Sequence, residues 1–179
     1  MHKEILTSQQ IELLPLVKAF KKDFYLVGGT AIALHLGHRR SIDFDLFILD
    51  DFNNNKIRAR IKRNGFKIDR IVRDEDGQFT LIINKIYFTF YNFLYEIEHQ
   101  SKFNNIVLMP DILTLGAMKA FALGQRAKWK DHVDLYFIFK RYSYSKVVSR
   151  AKKLFKNEFN EKLLKEQLSF FDDINYREK

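Results

Sequence analysis

The sequence predicts a mixed β-sheet flanked by helices and followed by an all-helical region, a chain of the α+β or α/β class. Two observations carry that reading. Short runs of β-branched and aromatic residues, separated by turn signals, fill the middle of the chain, with helical apolar spacing before them. From about residue 110 onward the pattern is helical throughout, and the one hint of a seam falls around Val107–Pro110. The expected organisation is a mixed core over residues 1–109 and a helical region over residues 110–179, packed on the core as a single compact unit. A length of 179 residues suits one domain with such an appendage.

The elements follow in chain order. Residues 8–21 read as a helix with Ile11, Leu14, Val17 and Phe20 at three-residue spacing, and Pro15 either kinks it or marks its start. Phe24–Val27 is a short apolar strand that Gly28-Gly29 ends. Thr30–Leu36 reads as a helix with Thr30 as its N-cap. Phe44–Leu49 is a second strand, and Asn53–Asn64 a basic amphipathic helix with Ile57 and Ile61 inward, ending before Gly65. Phe66–Arg73, Phe79–Asn84 and Ile86–Tyr91 read as strands joined by turns at Glu75-Asp76-Gly77 and Asn84-Lys85. Ile106–Met109 is one further strand. Pro110-Asp111 opens a helix to about Leu123, Asp131–Lys140 is a buried helix, and Ser145–Phe155 and Glu161–Phe171 complete the chain.

Composition excludes several classes. Hydrophobic residues make up 46% and aromatics 15%, enough for a core, so wholesale disorder is ruled out. With no cysteine, disulfides, Cys-ligated zinc, iron–sulfur clusters and thiol catalysis are impossible. The N-terminus lacks the apolar core of a signal peptide, and no apolar run approaches the roughly 20 residues of a membrane span. A cytoplasmic protein without membrane association is expected. The net charge is +9, concentrated in two runs: Lys119–Lys156 carries +9 and Lys56–Arg73 carries +7. The remainder of the chain is acidic on balance. Two basic runs suit a polyanionic partner, nucleic acid or nucleotide phosphate, although each could equally be a solvated helix face.

The segment Val27–Leu49, VGGTAIALHLGHRRSIDFDLFIL, is the most informative. Gly28-Gly29 stands between a strand and a helix start, where unpaired N–H groups and the positive end of the helix dipole can cradle an anion. Alone, such a pair is usually only a turn. Asp43 and Asp45 add chemistry. They alternate with Ile42, Phe44 and Leu46, and a period of two puts both carboxylates on one strand face. Like charges so placed repel unless neutralised, and Mg²⁺ commonly takes one or two carboxylates together with substrate phosphates. The competing reading makes them solvent-facing acids paired with Arg39 or Arg40. Lys119 lies at the edge of its helix's apolar face, aimed into a cleft or snorkelling, and Arg126 would share that face if the helix survives Gly124. Asp131 and Asp134 could do no more than stabilise a helix N-terminus. His35 and His38 lack any metal-site pattern and read as structural or phosphate-contacting.

Gly28-Gly29-Thr30 followed by Ser41-Ile42-Asp43-Phe44-Asp45-Leu46-Phe47 resembles the signature of the DNA polymerase β-like nucleotidyltransferase superfamily. Within it, GGTAIALHLGHRRSIDFDLF closely resembles the AbiEii-type nucleotidyltransferases, the toxin half of abortive-infection toxin–antitoxin systems. Lys119 through Arg126, Lys128, Lys130-Asp131 and Asp134-Leu135 is similar to a later block of that family, and Leu168–Asp173 to its aromatic-acidic C-terminal motif. The resemblance implies a polymerase β-like fold with residues 1–109 as nucleotidyltransferase core. It implies that Gly28, Gly29, Thr30 and Ser41 hold the triphosphate of an NTP, and that Asp43 and Asp45 bind catalytic Mg²⁺ (or Mn²⁺). Lys119 and Arg126 would neutralise phosphate charge, and Asp131 would complete the catalytic set. RNA, tRNA 3′ ends in particular, is the implied acceptor, and a cognate antitoxin the implied partner.

One departure stands out. Superfamily members often carry a third carboxylate on a later strand, and the corresponding strand here, Ile86–Tyr91, offers Thr89 instead; Asp69 is a stand-in only under another register. The resemblance implies that toxin-type relatives tolerate this. The alternatives are a catalytically impaired nucleotide- or RNA-binding module of the same fold, and an interaction protein neutralised by an acidic antitoxin.

Overall fold

The computed structural model describes residues 1–125 and 128–170, and its backbone divides into two units, residues 1–110 and 111–179. The first contains helix α1 (Ser8–Ala19), strand β1 (Tyr25–Val27), helix α2 (Gly28–Leu36), β2 (Phe44–Ile48), helix α3 (Asn54–Arg63), β3 (Arg70–Glu75), β4 (Gln78–Ile83) and β5 (Ile86–Asn92). A separate two-stranded ribbon, β6 (Ser101–Phe103) with β7 (Val107–Met109), closes it.

The five-stranded sheet has the order β1-β2-β5-β4-β3. β2 and β5 run parallel and every other pair is antiparallel. Alternation then sorts the side chains. Leu26, Phe44, Leu46, Phe79, Leu81, Phe88 and Phe90 are fully buried on one face. There Phe90 meets Phe20 and Phe24 edge-on, at ring separations of 4.8 and 5.2 Å, and Phe44 meets Phe88 at 5.1 Å. The opposite face carries Asp45, Thr89, Tyr87 and Tyr91, part-buried or exposed. This separation of an aromatic core face from a polar face decides where chemistry can occur.

Several boundaries differ from the sequence expectation. α1 is capped by Thr7 and Gln10 in a reciprocal capping box, which buries Gln10 and turns Ile11 outward to 53% exposure. Leu13, Leu16 and Val17, with Phe20, therefore form the inward stripe rather than Ile11 and Leu14, and Pro15 lies inside the helix. β3 begins at Arg70, not Phe66, because the Phe66 amide closes the end of α3 by donating to the Ile61 carbonyl. Asn84 and Lys85 both take positive φ, as a two-residue hairpin between antiparallel strands demands.

The second unit contains helices α4 (Ile112–Leu123), α5 (Trp129–Phe139), α6 (Tyr144–Phe155) and α7 (Glu161–Ser169). Asp111, Ser143 and Asn160 cap α4, α6 and α7 through their side chains. Gly116 admits α5 closely: a methyl group there would sit 2.9 Å from Ile138 Cγ2. Phe121 stacks on Phe155 at 4.1 Å, and His132 Nε2 lies 3.0 Å from the Gln167 carbonyl oxygen. Among the described residues no helix is long and apolar enough to cross a membrane.

The aromatic face sets two expectations. Phe90→Ala should cost about 3–5 kcal/mol in chemical denaturation, since it empties the space between Phe20 and Phe24. Tyr25 stacks on His99 at 4.2 Å with its hydroxyl buried and without a hydrogen-bond partner, and burial pushes its phenol above the usual range. Tyr25→Phe should therefore leave stability unchanged or raise it, because the lost hydroxyl brings no bond with it.

Candidate functional site

The site begins where β1 turns into α2. The helix starts at Gly28, two residues earlier than its sequence suggests, with Val27 as N-cap and no side-chain cap. Gly28 holds φ of +72° and Gly37, at the other end, +67°. Val27 pairs with Asp45 across the β1–β2 ladder, and the Asp45 carboxylate occupies the space that a side chain on Gly28 would need. A methyl group on Gly29 would lie 2.6 Å from Arg39 Nη2 and 2.8 Å from Ser41 Oγ. The two glycines thus let the helix N-terminus close onto a carboxylate, a guanidinium and a hydroxyl together.

Thr30 does not cap the helix. Its hydroxyl donates to the backbone carbonyl of Asp43 and lies 3.5 Å from that of Ser41, and the residue is buried. It fastens the segment 41–43 to the first turn of α2, so that Gly28, Gly29, Ser41, Asp43 and Asp45 share one neighbourhood. Asp43 and Asp45 are both part-buried, and Phe44 between them points into the core. Arg39 joins this group. Its place directly before Arg40-Ser41 is the available sequence signal. His35 binds the Pro110 carbonyl oxygen at 3.0 Å, a structural role.

The register across the sheet is unambiguous. Asp45 stands opposite Thr89 on β5, and Thr89 opposite Thr80 on β4, with the two hydroxyls 3.5 Å apart. The neighbour of Asp45 is therefore a threonine, and Asp69 lies just outside the far-edge strand β3. Among the described residues no group of three or more His, Asp or Glu is placed to hold a metal. Two hard oxygen donors on one face remain, a set that fits Mg²⁺ when phosphate oxygens and water complete its shell.

The second unit holds its own charged cluster. Lys119, on α4, is 9% exposed, and its Nζ lies 2.7 Å from Asp131 Oδ1 and 3.3 Å from Asp134 Oδ2 on α5. Asp131 and Asp134 are 2% and 0% exposed. Asp134 is thus no solvent-facing acid at a helix start; it shares the buried lysine, a pairing that reasoning within one helix could not find. α4 ends at Leu123 with Gly124 as C-cap, so it does not continue to Arg126, and Arg126 itself lies outside the described residues, as does the second half of the Leu168–Asp173 motif.

Comparison with known proteins bears on this arrangement. Residues 16–106, which contain the glycine turn, Asp43 and Asp45, match the family described as nucleotidyl transferase AbiEii toxin, type IV toxin–antitoxin system. The chain belongs to the AbiEii nucleotidyltransferase toxin family. It is 30% identical over 160 residues to protein aq_aa25 of Aquifex aeolicus (strain VF5), covering 84% of this chain and 75% of that protein. Among solved structures, JHP933 from Helicobacter pylori is similar with a TM-score of 0.58 and 21% identity, over 83% of this chain and 75% of that one. The antibiotic-resistance factor ANT(2'')-Ia is similar with a TM-score of 0.59 and 13% identity, over 82% of this chain and 91% of that one. These two likenesses establish the nucleotidyltransferase fold, as the sequence resemblance implies, and the family establishes the chain as a nucleotidyltransferase.

Two substitutions probe the geometry. Gly28→Ala should destabilise by clearly more than the roughly 1 kcal/mol expected for Gly65→Ala. Both glycines have positive φ, but the space beside Gly65 is open and that beside Gly28 holds Asp45. Lys119→Met should cost about 3–5 kcal/mol by removing the cation that two buried carboxylates face. A double-mutant cycle with Asp134→Asn should return a coupling above about 0.5 kcal/mol.

Proposed function

We propose that this AbiEii-family chain transfers a nucleoside monophosphate from an NTP to an RNA 3′ hydroxyl, with tRNA 3′ ends as the acceptor class. The observation that supports the reading best is the convergence of the α2 N-terminus, Ser41 and Asp45 permitted by Gly28 and Gly29. Backbone N–H groups of the first turn of α2, with Ser41, hold the triphosphate, while the dipole of α2 favours its negative charge. Thr30 contributes its backbone N–H and holds Asp43 in place through its hydroxyl.

Asp43 and Asp45 are the residues that would hold Mg²⁺ or Mn²⁺, which when bound would offset charge developing on the transferred phosphoryl group. The acceptor oxygen forms its bond to the α-phosphorus as the bond to the bridging α–β oxygen breaks, the hydroxyl proton goes to solvent, and pyrophosphate leaves. On the second unit, Lys119 and Arg126 are the cations assigned to phosphate, and Asp131 the acid that orients Lys119, at 2.7 Å. With Thr89 beside Asp45, the carboxylates available are two rather than three, Asp45 on β2 and Asp43 just before it, which suits one tightly held ion. A toxin role in a cytoplasmic toxin–antitoxin pair, opposed by a cognate antitoxin, accords with the family.

Incubation with labelled NTPs, Mg²⁺ and total tRNA tests the reading. Wild type should label RNA and release pyrophosphate, and Asp43→Ala should lower the rate at least about a hundredfold, the loss typical when a transition-state charge loses its support. Equal labelling by the two proteins sinks the mechanism. NTP binding that survives Asp45→Ala, with no product from any acceptor, supports a binding module instead.

A further inference from the structure

The polar face of the sheet leads somewhere. From Asp45 the register runs to Thr89, then Thr80, then Arg73, four directly paired residues on β2, β5, β4 and β3. Their side chains are in turn a carboxylate, two hydroxyls and a guanidinium, with Asp45 and Thr89 part-buried, Thr80 buried and Arg73 exposed. The row ends at β3, the free edge of the sheet, where every residue is exposed. Beside that edge lies the more compact of the two basic runs. Three of its cations are engaged: Arg58 with Asp74, Arg60 with Asp23, and Arg73 with Glu75 at 3.6 Å. The other five, Lys56, Lys62, Arg63, Lys67 and Arg70, are all exposed and make no ion pair among the described residues.

Five unengaged cations on one short helix–strand segment concentrate positive potential at this edge. Strand addition by a partner protein is the other use of a free edge, and two features oppose it. The β3–β4 register breaks between Ile71 and Arg73, and charged side chains occupy most of the strand. A phosphate backbone needs no regular edge, only cations along its course. Three strand spacings separate β2 from β3, about 14 Å in all. At about 3.4 Å per stacked nucleotide that is a path of roughly four nucleotides.

We infer that the α3–β3 edge is the binding surface for the acceptor RNA, holding its backbone about four nucleotides from the 3′ end that reaches Asp43 and Asp45. The inference rests on the proposed RNA acceptor and adds to it a surface and a direction. Lys62, Arg63, Lys67 and Arg70 carry the phosphate contacts, and the Thr89–Thr80 row lies beneath the terminal nucleotides.

The test measures binding of total tRNA and of a short single-stranded RNA as a function of salt. Lys62, Arg63, Lys67 and Arg70 are changed together to alanine, and a control removes Lys3, Lys18, Lys22 and Lys102, which are exposed elsewhere on the same unit. The edge variant should lose at least about tenfold in affinity, and its salt slope should flatten by up to about 3, since each lost single-strand phosphate contact removes about 0.7. The control should keep most of both. Thermal unfolding verifies that the edge variant is folded, and Lys62→Gln with Lys67→Gln supplies a milder version expected to show about half the change in slope.

Wild-type RNA labelling is measured in parallel, so that the two ideas fail separately. Unchanged affinity and slope in the edge variant, with wild type labelling RNA, overturn the inference and leave the proposed activity standing. The same holds if the control loses as much as the edge variant, or if an acidic protein binds this edge while RNA affinity stays intact. Loss of RNA affinity in the edge variant, with no labelling by wild type under any NTP, supports the surface and overturns the activity. Absence of RNA binding by wild type overturns both.

Discussion

The contact on which the first unit's site depends is the approach of the Gly28 backbone to the carboxylate of Asp45. It joins three requirements in one place. β1 must end at Val27, directly opposite Asp45. α2 must begin at once, so that its unpaired N–H groups lie beside that carboxylate. No side chain can intervene, which only glycine at φ of +72° satisfies without strain. The positive end of a helix and a negative side chain stabilise each other there. The arrangement is also incomplete in a useful sense: a helix N-terminus and a pair of carboxylates have opposite preferences, one for phosphate and one for a cation. A metal–nucleotide complex satisfies both at once.

The buried cluster of the second unit follows a different logic. Lys119, Asp131 and Asp134 are withdrawn from water, and the desolvation of three charges is costly even when the geometry is good. Well-packed apolar residues of similar volume often fill such positions at no loss of stability, so stability is a poor reason for the cluster. What it provides is a lysine whose position is fixed by two carboxylates on the adjacent helix, at 2.7 and 3.3 Å.

How far the sequence revealed this depends on whether each feature is local. The phase of β2 was legible because a period of two has only one solution once Phe44 and Leu46 are inside. The Asn84-Lys85 turn and the helix starts at Asn53 and Asp111 were legible because their chemistry lies within four residues. The inward stripe of α1 was misplaced because the capping box buries Gln10, a polar residue that periodicity counts as outside. The ribbon of β6 with β7 escaped notice in half, since three-residue strands carry almost no alternation. The Thr30 hydroxyl bonding the Asp43 carbonyl, Arg39 beside Gly29, and Asp134 beside Lys119 all span ten or more residues, beyond the reach of any local pattern. The candidate site residues were named by type and spacing. The contacts that hold them had to come from the fold.

The pairing of Thr89 with Asp45 changes the electrostatics of the whole sheet face. A carboxylate at that position would place a third negative charge within two strands, and a nucleic acid crossing the face toward β3 would have to pass it. Thr89, part-buried, instead presents a hydroxyl, which can donate to a phosphate or ribose oxygen and repels neither, and Thr80 lies buried behind it at 3.5 Å. On that face Asp43 and Asp45 stand at one end, Glu75 at the β3 edge is paired with Arg73 at 3.6 Å, and the unengaged cations belong to the α3–β3 segment. A polyanion meets a rising positive potential away from the carboxylates and a neutral polar surface between. On the proposed RNA acceptor, threonine rather than a carboxylate at position 89 therefore both withholds a potential metal ligand and leaves the proposed route free of a further negative charge. The two effects pull catalysis in opposite directions, one weakening support for the reacting phosphate and the other easing approach of the strand.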